Sequence, residues 1–537
     1  MKKIFITAIV FIVMFCSCDD LLDVKQVNLV YNEVYWQNES DAENGVLGIY
    51  ALYRGLMVQP TNWYQRADAT TGFLNKGWNG GSPDALYKVG NFEDLNAPKS
   101  WGELEGYADW GPFYKVIAQA NLVIKKIEEI PIGNITTKNK EKLVGEAYFL
   151  RALTYFNILR IWGNAPYISE AIESSTQLIN NDLTPIVIPR TTDIEIGKKV
   201  LNDVNTAIEK LDYGLFGNED WGIRANRGSA EALAGHVNMW MYFLANRDGL
   251  ESQAYLTAAV TSLENVITKG GYSLADYSNP TILKTLYEGQ SSEAVFELNI
   301  SSQANESYRV DHGGIVHLTC KIPSHDGDVT KDRASSINFV PRSQKDLIYP
   351  EYNIAAHTGD IRANLFFAAW ESHYDEPFND VSPVANNRDL VTWMKKYAIM
   401  TVDPMRSWNE YSAYFAEANI PVFRYTDVYL LLAEAYQKNN QADKAVVIVN
   451  NIRARAGLSP YAGSDLLNEI LQQRVSELIG EGQIYYDMVR NNWFPNPQVM
   501  EPDRYSQKGY YWPVSGSILT SNKEIKQTPY WDGKTKW

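Results

Sequence analysis

The positions of apolar residues along this chain repeat mostly at steps of three and four, the period of helices packed through one face or more. The clearest case is EKLVGEAYFLRALTYFNILRIWGNAP, Glu141 to Pro166. Leu143, Ala147, Leu150, Thr154, Ile158 and Ile161 share one face, while Phe149, Leu153, Phe156 and Leu159 form a second apolar stripe. A helix apolar on two sides packs on two sides, as in a helical array. Gly163 reads as its stop, and Pro166 prevents continuation. The same period predicts helices over Asp41–Leu56, Trp110–Ile127, Ser229–Leu244 and Tyr255–Ile267. It also predicts a helix from an N-cap at Thr192 through Leu211, and three more over Tyr425–Gln437, Gln441–Ala456 and Leu466–Gly480. The spacing is that of antiparallel pairs about the size of tetratricopeptide units.

Two stretches break the pattern. Val58 to Asp109 is rich in Gly, Asn, Pro and Asp, with Trp63, Tyr64, Trp78 and Trp101 set among them. Val295 to Ile300 alternates like a strand, and a long Gly-, Asn-, Asp- and aromatic-rich run follows it. Irregular segments of this length inside a compact domain are usually functional. The expected fold is therefore mainly α, a tetratricopeptide-like scaffold of helical pairs with large irregular insertions. Its parts are a signal peptide at 1–17, an anchor and tether at 18–40, and an N-terminal helical scaffold at 41–298 carrying the aromatic loop 58–109. A loop-rich insertion at 299–420 forms the ligand face, and helices and tail at 421–537 complete the scaffold.

Composition narrows the function. The 537 residues carry a formal net charge of -15 and only 6 His, a poor match to nucleic acid, which calls for a basic footprint. The N-terminus has Lys2 and Lys3, then an apolar run from Ile4 to Phe15 too short for a typical membrane-spanning helix. Ser17 before Cys18 suits lipoprotein signal peptidase, so Cys18 is the expected lipid-attachment residue and first mature residue. No later stretch is apolar enough to span a bilayer, so the expected association is by the N-terminal lipid alone. Cys320 is the one cysteine outside the leader region, which excludes an intrachain disulfide framework.

Several stretches in chain order resemble the SusD/RagB family of outer-membrane glycan-binding lipoproteins of Bacteroidetes. Trp110, Tyr114, Ile117 and Asn121 match one helix motif, and Gly145 to Pro166 matches the family's long central helix. Pro189-Arg190-Thr191 with Leu201-Asn202-Asp203 resembles the next helix start. Phe423, Arg424, Asp427, Leu431, Ala433 and Glu434 resemble a further helix, and Asn450, Arg453, Arg455, Ala456 and Gly457 the end of another. Arg474, Glu477, Leu478, Glu481, Gly482, Asp487 and Arg490 form a third group, and Trp512-Pro513, Asn522, Gln527 and Pro529 the tail. Val514 and Thr528 depart from the tail pattern. The resemblance implies a surface lipoprotein of the outer membrane that captures a poly- or oligosaccharide without cleaving it. It also implies delivery to a SusC-like TonB-dependent transporter. It does not imply which glycan.

The charged group around Arg474, Glu477 and Glu481 reads as a packing network between helices rather than an active site. Glycoside hydrolysis needs two carboxyls about 5–10 Å apart across a sugar, and no local motif nominates a pair. His312, His317, Cys320 and His325 are residue types that suit zinc, but their spacing matches no common zinc module. There is no phosphate-binding glycine loop and no G-x-S-x-G turn. The expectation is thus a non-enzyme with no cofactor and no metal. Aromatics in loops flanked by polar residues suit sugar faces and hydroxyls. Trp78, Trp101, Tyr308, Trp370 and Tyr374 are the candidate glycan-binding residues. The alternatives are a tetratricopeptide-like protein–protein interaction lipoprotein and, behind it, a glycoside hydrolase.

Overall fold

The computed structural model describes residues 35–58, 62–74, 104–174, 177, 186–302, 306, 314–320, 340–371, 392–402 and 414–537. Ten helices of eight or more residues are found among them. They are α1 (Glu39–Val58), α2 (Gly111–Glu129), α3 (Thr137–Trp162), α4 (Asp193–Lys210), α5 (Arg227–Arg247) and α6 (Gln253–Lys269), followed by α7 (Tyr425–Lys438), α8 (Ala442–Arg455), α9 (Leu466–Leu478) and α10 (Ile484–Asn491). Helices α1 to α6 pack in chain order, each on the next, and α6 then packs on α7. The stack is continuous in space although about 150 residues separate α6 from α7 in sequence.

Helix α3 lies inside this stack. Every residue from Leu143 to Trp162 except the half-buried Tyr148 is buried, as two apolar stripes require. It begins four residues before Glu141, because Thr136 caps it by accepting from the Asn139 N–H. It ends at Trp162, where Gly163 turns to φ 67° and acts as the stop read from the sequence. At Gly145 a Cβ would sit 3.0 Å from Leu211 Cγ, so the glycine lets the end of α4 close onto α3. Thr192 caps α4 by accepting from the Glu195 N–H, as its place before the periodic run predicts.

Polar residues that recur along the sequence motifs meet at helix junctions. Arg151 of α3 grips Asp203 of α4 through two bonds of 2.8 and 2.6 Å and donates to Asn121 of α2 at 2.9 Å. The tail seals the end of α3. Trp512 N–H donates to the Ile161 carbonyl, and the Trp162 indole donates to the Pro513 carbonyl. Trp110 packs edge-on against Trp162, so Trp110 and Trp512 are buried structural residues. Beyond Trp493 the expected loop contains short helices at Pro502–Ser506 and Gly516–Ser521, each started by Pro at the first turn or a serine cap.

Strands are few and short. The strand expected near Val295 is β1 (Ala294–Leu298). After it come β2 (Phe367–Ala368), β3 (Trp393–Met394), β4 (Met400–Val402), β5 (Tyr414–Ala416) and β6 (Ile420–Arg424). Antiparallel pairing of β1 with β6 places Leu298 opposite Ile420 and brings the two ends of the loop-rich insertion together. Among the described residues no helix is long and apolar enough to cross a membrane.

Candidate functional site

The buried charges decide what the site is not. Glu477 of α9 accepts from Arg362 and Arg455 at 3.0 Å each, from Arg424 at 3.3 Å and from the Tyr277 hydroxyl at 2.7 Å. Burial pushes its carboxyl up, but the three guanidinium groups overcome that and hold it well below the ordinary range. Glu481 is bonded by Lys396, Arg424 and the Tyr287 hydroxyl. Asp427, Arg474, Asp487, Arg490 and Glu434 continue the network, with His236 Nε2 donating to Asp427 over 2.9 Å. His236 stacks on Phe423 and its basicity is lowered by burial, the state of a packed core histidine. With their oxygens held by arginines, Lys396 and His236 and away from solvent, these carboxylates are positioned to join helices, not to meet a substrate.

The loop-rich insertion is not laid on the frame from outside. Arg362 and Lys396, both fully buried, supply Glu477 and Glu481 with partners. Tyr349 donates to the Ser476 carbonyl and Tyr397 to the Gly480 carbonyl. Trp370 belongs to this inner layer and is only 1% exposed. Tyr349 and Phe367 cover it at ring distances of 4.9 and 5.2 Å, and Lys345 Nζ lies 5.2 Å over its face. Both faces a sugar would need are taken, which corrects the expectation that Trp370 is a stacking platform. The flanking AAWESHYDE pattern does not distinguish an aromatic turned inward from one turned outward. Trp63 and Tyr64 are buried for the same reason. Trp78, Trp101, Tyr308, Tyr374 and Cys18 lie outside the described residues.

Beside Trp370 the surface carries a polar cluster that sequence reasoning missed. Glu371 accepts from the Tyr352 hydroxyl at 2.7 Å and lies 3.4 Å from His357 Nδ1. Asn364 Nδ2 donates to the Tyr352 hydroxyl at 2.7 Å, and Lys395 Nζ donates to the Asn364 carbonyl. Burial raises Glu371, yet the bonds from Tyr352, His357 and Asn364 outweigh it and keep the carboxyl below its usual value. The His357 side chain remains 68% exposed. Such a set offers donors and a charged acceptor to ligand hydroxyls. Its members are scattered over about 45 positions, so no local motif announces it. The one signal was the lysine-tyrosine patch at Lys395–Tyr397 together with Asp360 and Arg362.

Two further features bear on function. Cys320 is fully buried and its thiol is pushed up to about 12 by burial, which makes it a poor zinc ligand. No cluster of metal-ligating side chains is found among the described residues. A cavity of about 510 Å³ opens between α3 and the α4–α5 turn, walled by Tyr213, Leu215 and Trp221 and by basic and acidic side chains in equal number.

Comparison with known proteins agrees with this architecture. A family model described as the SusD family matches residues 264–531. A second, described as starch-binding associating with outer membrane, matches residues 86–237. A SusD-like protein of Formosa agariphila is 26% identical over 96% of this chain and 96% of its own length. A SusD-like protein of Bacteroides ovatus is 28% identical over 31% of this chain. The crystal structure of a SusD homolog from Bacteroides thetaiotaomicron superposes with a TM-score of 0.72 at 24% identity, covering 93% of this chain and 99% of that one. A structure described as a laminarin-binding SusD-like protein gives a TM-score of 0.66 at 20% identity, covering 92% of this chain and 99% of that one. From the stacked helices, the motif residues that meet at their junctions and these matches, the chain belongs to the SusD/RagB family.

Proposed function

We propose that this chain is a cell-surface lipoprotein that captures a poly- or oligosaccharide and delivers it to a SusC-like TonB-dependent transporter in the outer membrane. The observation that carries the reading is family membership, with a structural neighbour described as laminarin-binding. Capture is by stacking and hydrogen bonding, with no bond broken. Anchoring is through a lipid on Cys18. The stacking residues are Trp78, Trp101, Tyr308 and Tyr374, and the Tyr352–Asn364–Glu371–His357 cluster supplies polar contacts.

Titration calorimetry against a panel of plant, host and microbial glycans tests this. Binding to one glycan class is expected, weakened about tenfold by Trp78→Ala or Trp101→Ala with no change in melting. Silence across the panel sinks the reading, and release of reducing sugar on incubation shows a hydrolase instead. The cavity beside α3, with Leu215 and Phe216 exposed at 68% and 62% near it, favours a second reading in which the helical scaffold holds a protein partner. A partner retained when the loop tryptophans are replaced distinguishes that contact from the glycan site.

A further inference from the structure

At the root of the insertion, where β1 meets β6, the chain encloses a small cavity of about 30 Å³. Leu298, Ile420 and Pro421 form one wall, and Tyr53, Trp63 and Arg160 another. That is room for roughly one or two water-sized occupants.

The polar groups around it are unbalanced. Arg160 is 6% exposed, with its guanidinium between the rings of Phe156 and Tyr486 at 4.3 and 4.2 Å. Its hydrogen-bond acceptors are neutral: Gln483 Oε1 at 3.0 Å and Asn157 Oδ1 at 2.8 Å. Its Nε has no partner among the described residues. The indole N–H of Trp63, itself 9% exposed, has none either. The Tyr53 hydroxyl accepts from Asn157 and keeps its own hydrogen to donate. Three donors, one of them cationic, thus line a space whose described side chains offer no unpaired anionic acceptor. Glu481 also lines the cavity, but Lys396, Arg424 and Tyr287 already occupy its two oxygens. Asp427 and Asp487 act on Arg160 only at longer range and are bonded to Arg474 and Arg490.

A buried cation without a counter-charge costs several kcal/mol. A water could accept two of the donated hydrogens, but it would leave the guanidinium charge uncompensated and would itself need acceptors. We propose that this cavity is a binding site for a small monatomic anion of the chloride class, held by Arg160, Trp63 and Tyr53. Because its other wall is the paired ends of the insertion, the bound ion fastens the ligand-bearing segment to the helical stack.

The test combines two measurements on the purified protein. Crystals grown in sodium bromide are examined by anomalous diffraction at the bromine edge. Melting is followed as chloride replaces gluconate at fixed ionic strength. A bromine peak between Arg160 and Trp63 together with a chloride-dependent rise in Tm is expected. Arg160→Gln should abolish the chloride response. Trp63→Phe, which keeps an aromatic ring in the cavity and removes only the N–H donor, should raise the chloride concentration at half-effect about fivefold. This second variant keeps the proposal testable if Arg160→Gln fails to fold. A cavity holding only water, or melting indifferent to halide, overturns it.

Discussion

At the scale of single residues the most consequential groups are buried carboxylates, and they divide into two kinds. Asp68 accepts from the Gly480 and Gly482 N–H groups through one oxygen, while its other oxygen has no partner among the described residues. Burial outweighs those two bonds and the nearby Lys396, and pushes its carboxyl up to about 7. The folded protein therefore holds this proton when the unfolded chain, with an ordinary carboxyl, has lost it. Between pH 4 and 7 the native state binds more protons at this site, so its contribution to stability falls as pH rises. Asp68→Asn should flatten that slope, raising Tm relative to the parent more at pH 8 than at pH 5; parallel melting curves at the two pH values would refute it. Arg151 is the opposite kind, a buried ion pair with every bond made. Arg151→Ala should cost about 3–5 kcal/mol in urea unfolding, because Asp203 is then left buried and unpaired. Replacing Arg151 and Asp203 together with apolar residues should recover most of the loss. Asn121, Arg151 and Asp203 were each visible in sequence as motif residues, but that they share one junction was not. Period fixes which face a side chain takes, whereas the partner across a helix pair depends on how the helices are stacked.

At the scale of elements, helix positions were legible because apolar period, caps and stops agree. Thr192 and Gly163 act where their residue types say they should. Thr192→Ala should cost about 1 kcal/mol through the lost cap on the Glu195 N–H. Gly145→Leu should cost more, about 1–3 kcal/mol, although leucine is the better helix former. Chemical denaturation ranks the two, and an unchanged Gly145→Leu midpoint would show that α4 can move away from α3 freely. Irregular segments were less legible. The composition around Trp370 matches an exposed platform, yet Tyr349, Phe367 and Lys345 enclose it. In a helix the neighbouring turns reveal which side is buried. In a loop the direction of a ring is set by contacts distant in sequence, here the buried side of α9.

At the scale of the whole molecule, the insertion and the stack depend on each other. A picture of a rigid frame with an added ligand layer predicts that 299–420 could be replaced by a short turn, since Leu298 and Ile420 are already paired. The charge network predicts otherwise. Excision removes Arg362 and Lys396 and leaves Glu477 and Glu481 short of their partners in the core. The shortened chain should lose cooperative melting by circular dichroism rather than simply lose ligand. Retention of a sharp transition would show that Arg424 and Arg455 alone satisfy both carboxylates.

The single cysteine past the leader has a practical reach. With its thiol pushed up to about 12 by burial, Cys320 keeps its proton at neutral pH, and its sulfur is enclosed as well. Maleimide reagents should pass it by in the native state. A chain starting after Cys18 is then a silent background for spectroscopy. A new cysteine placed in the 58–109 segment, and another on the helical stack, would each take a dye without competition. The distance between the two dyes would report whether that segment changes position when a sugar is added.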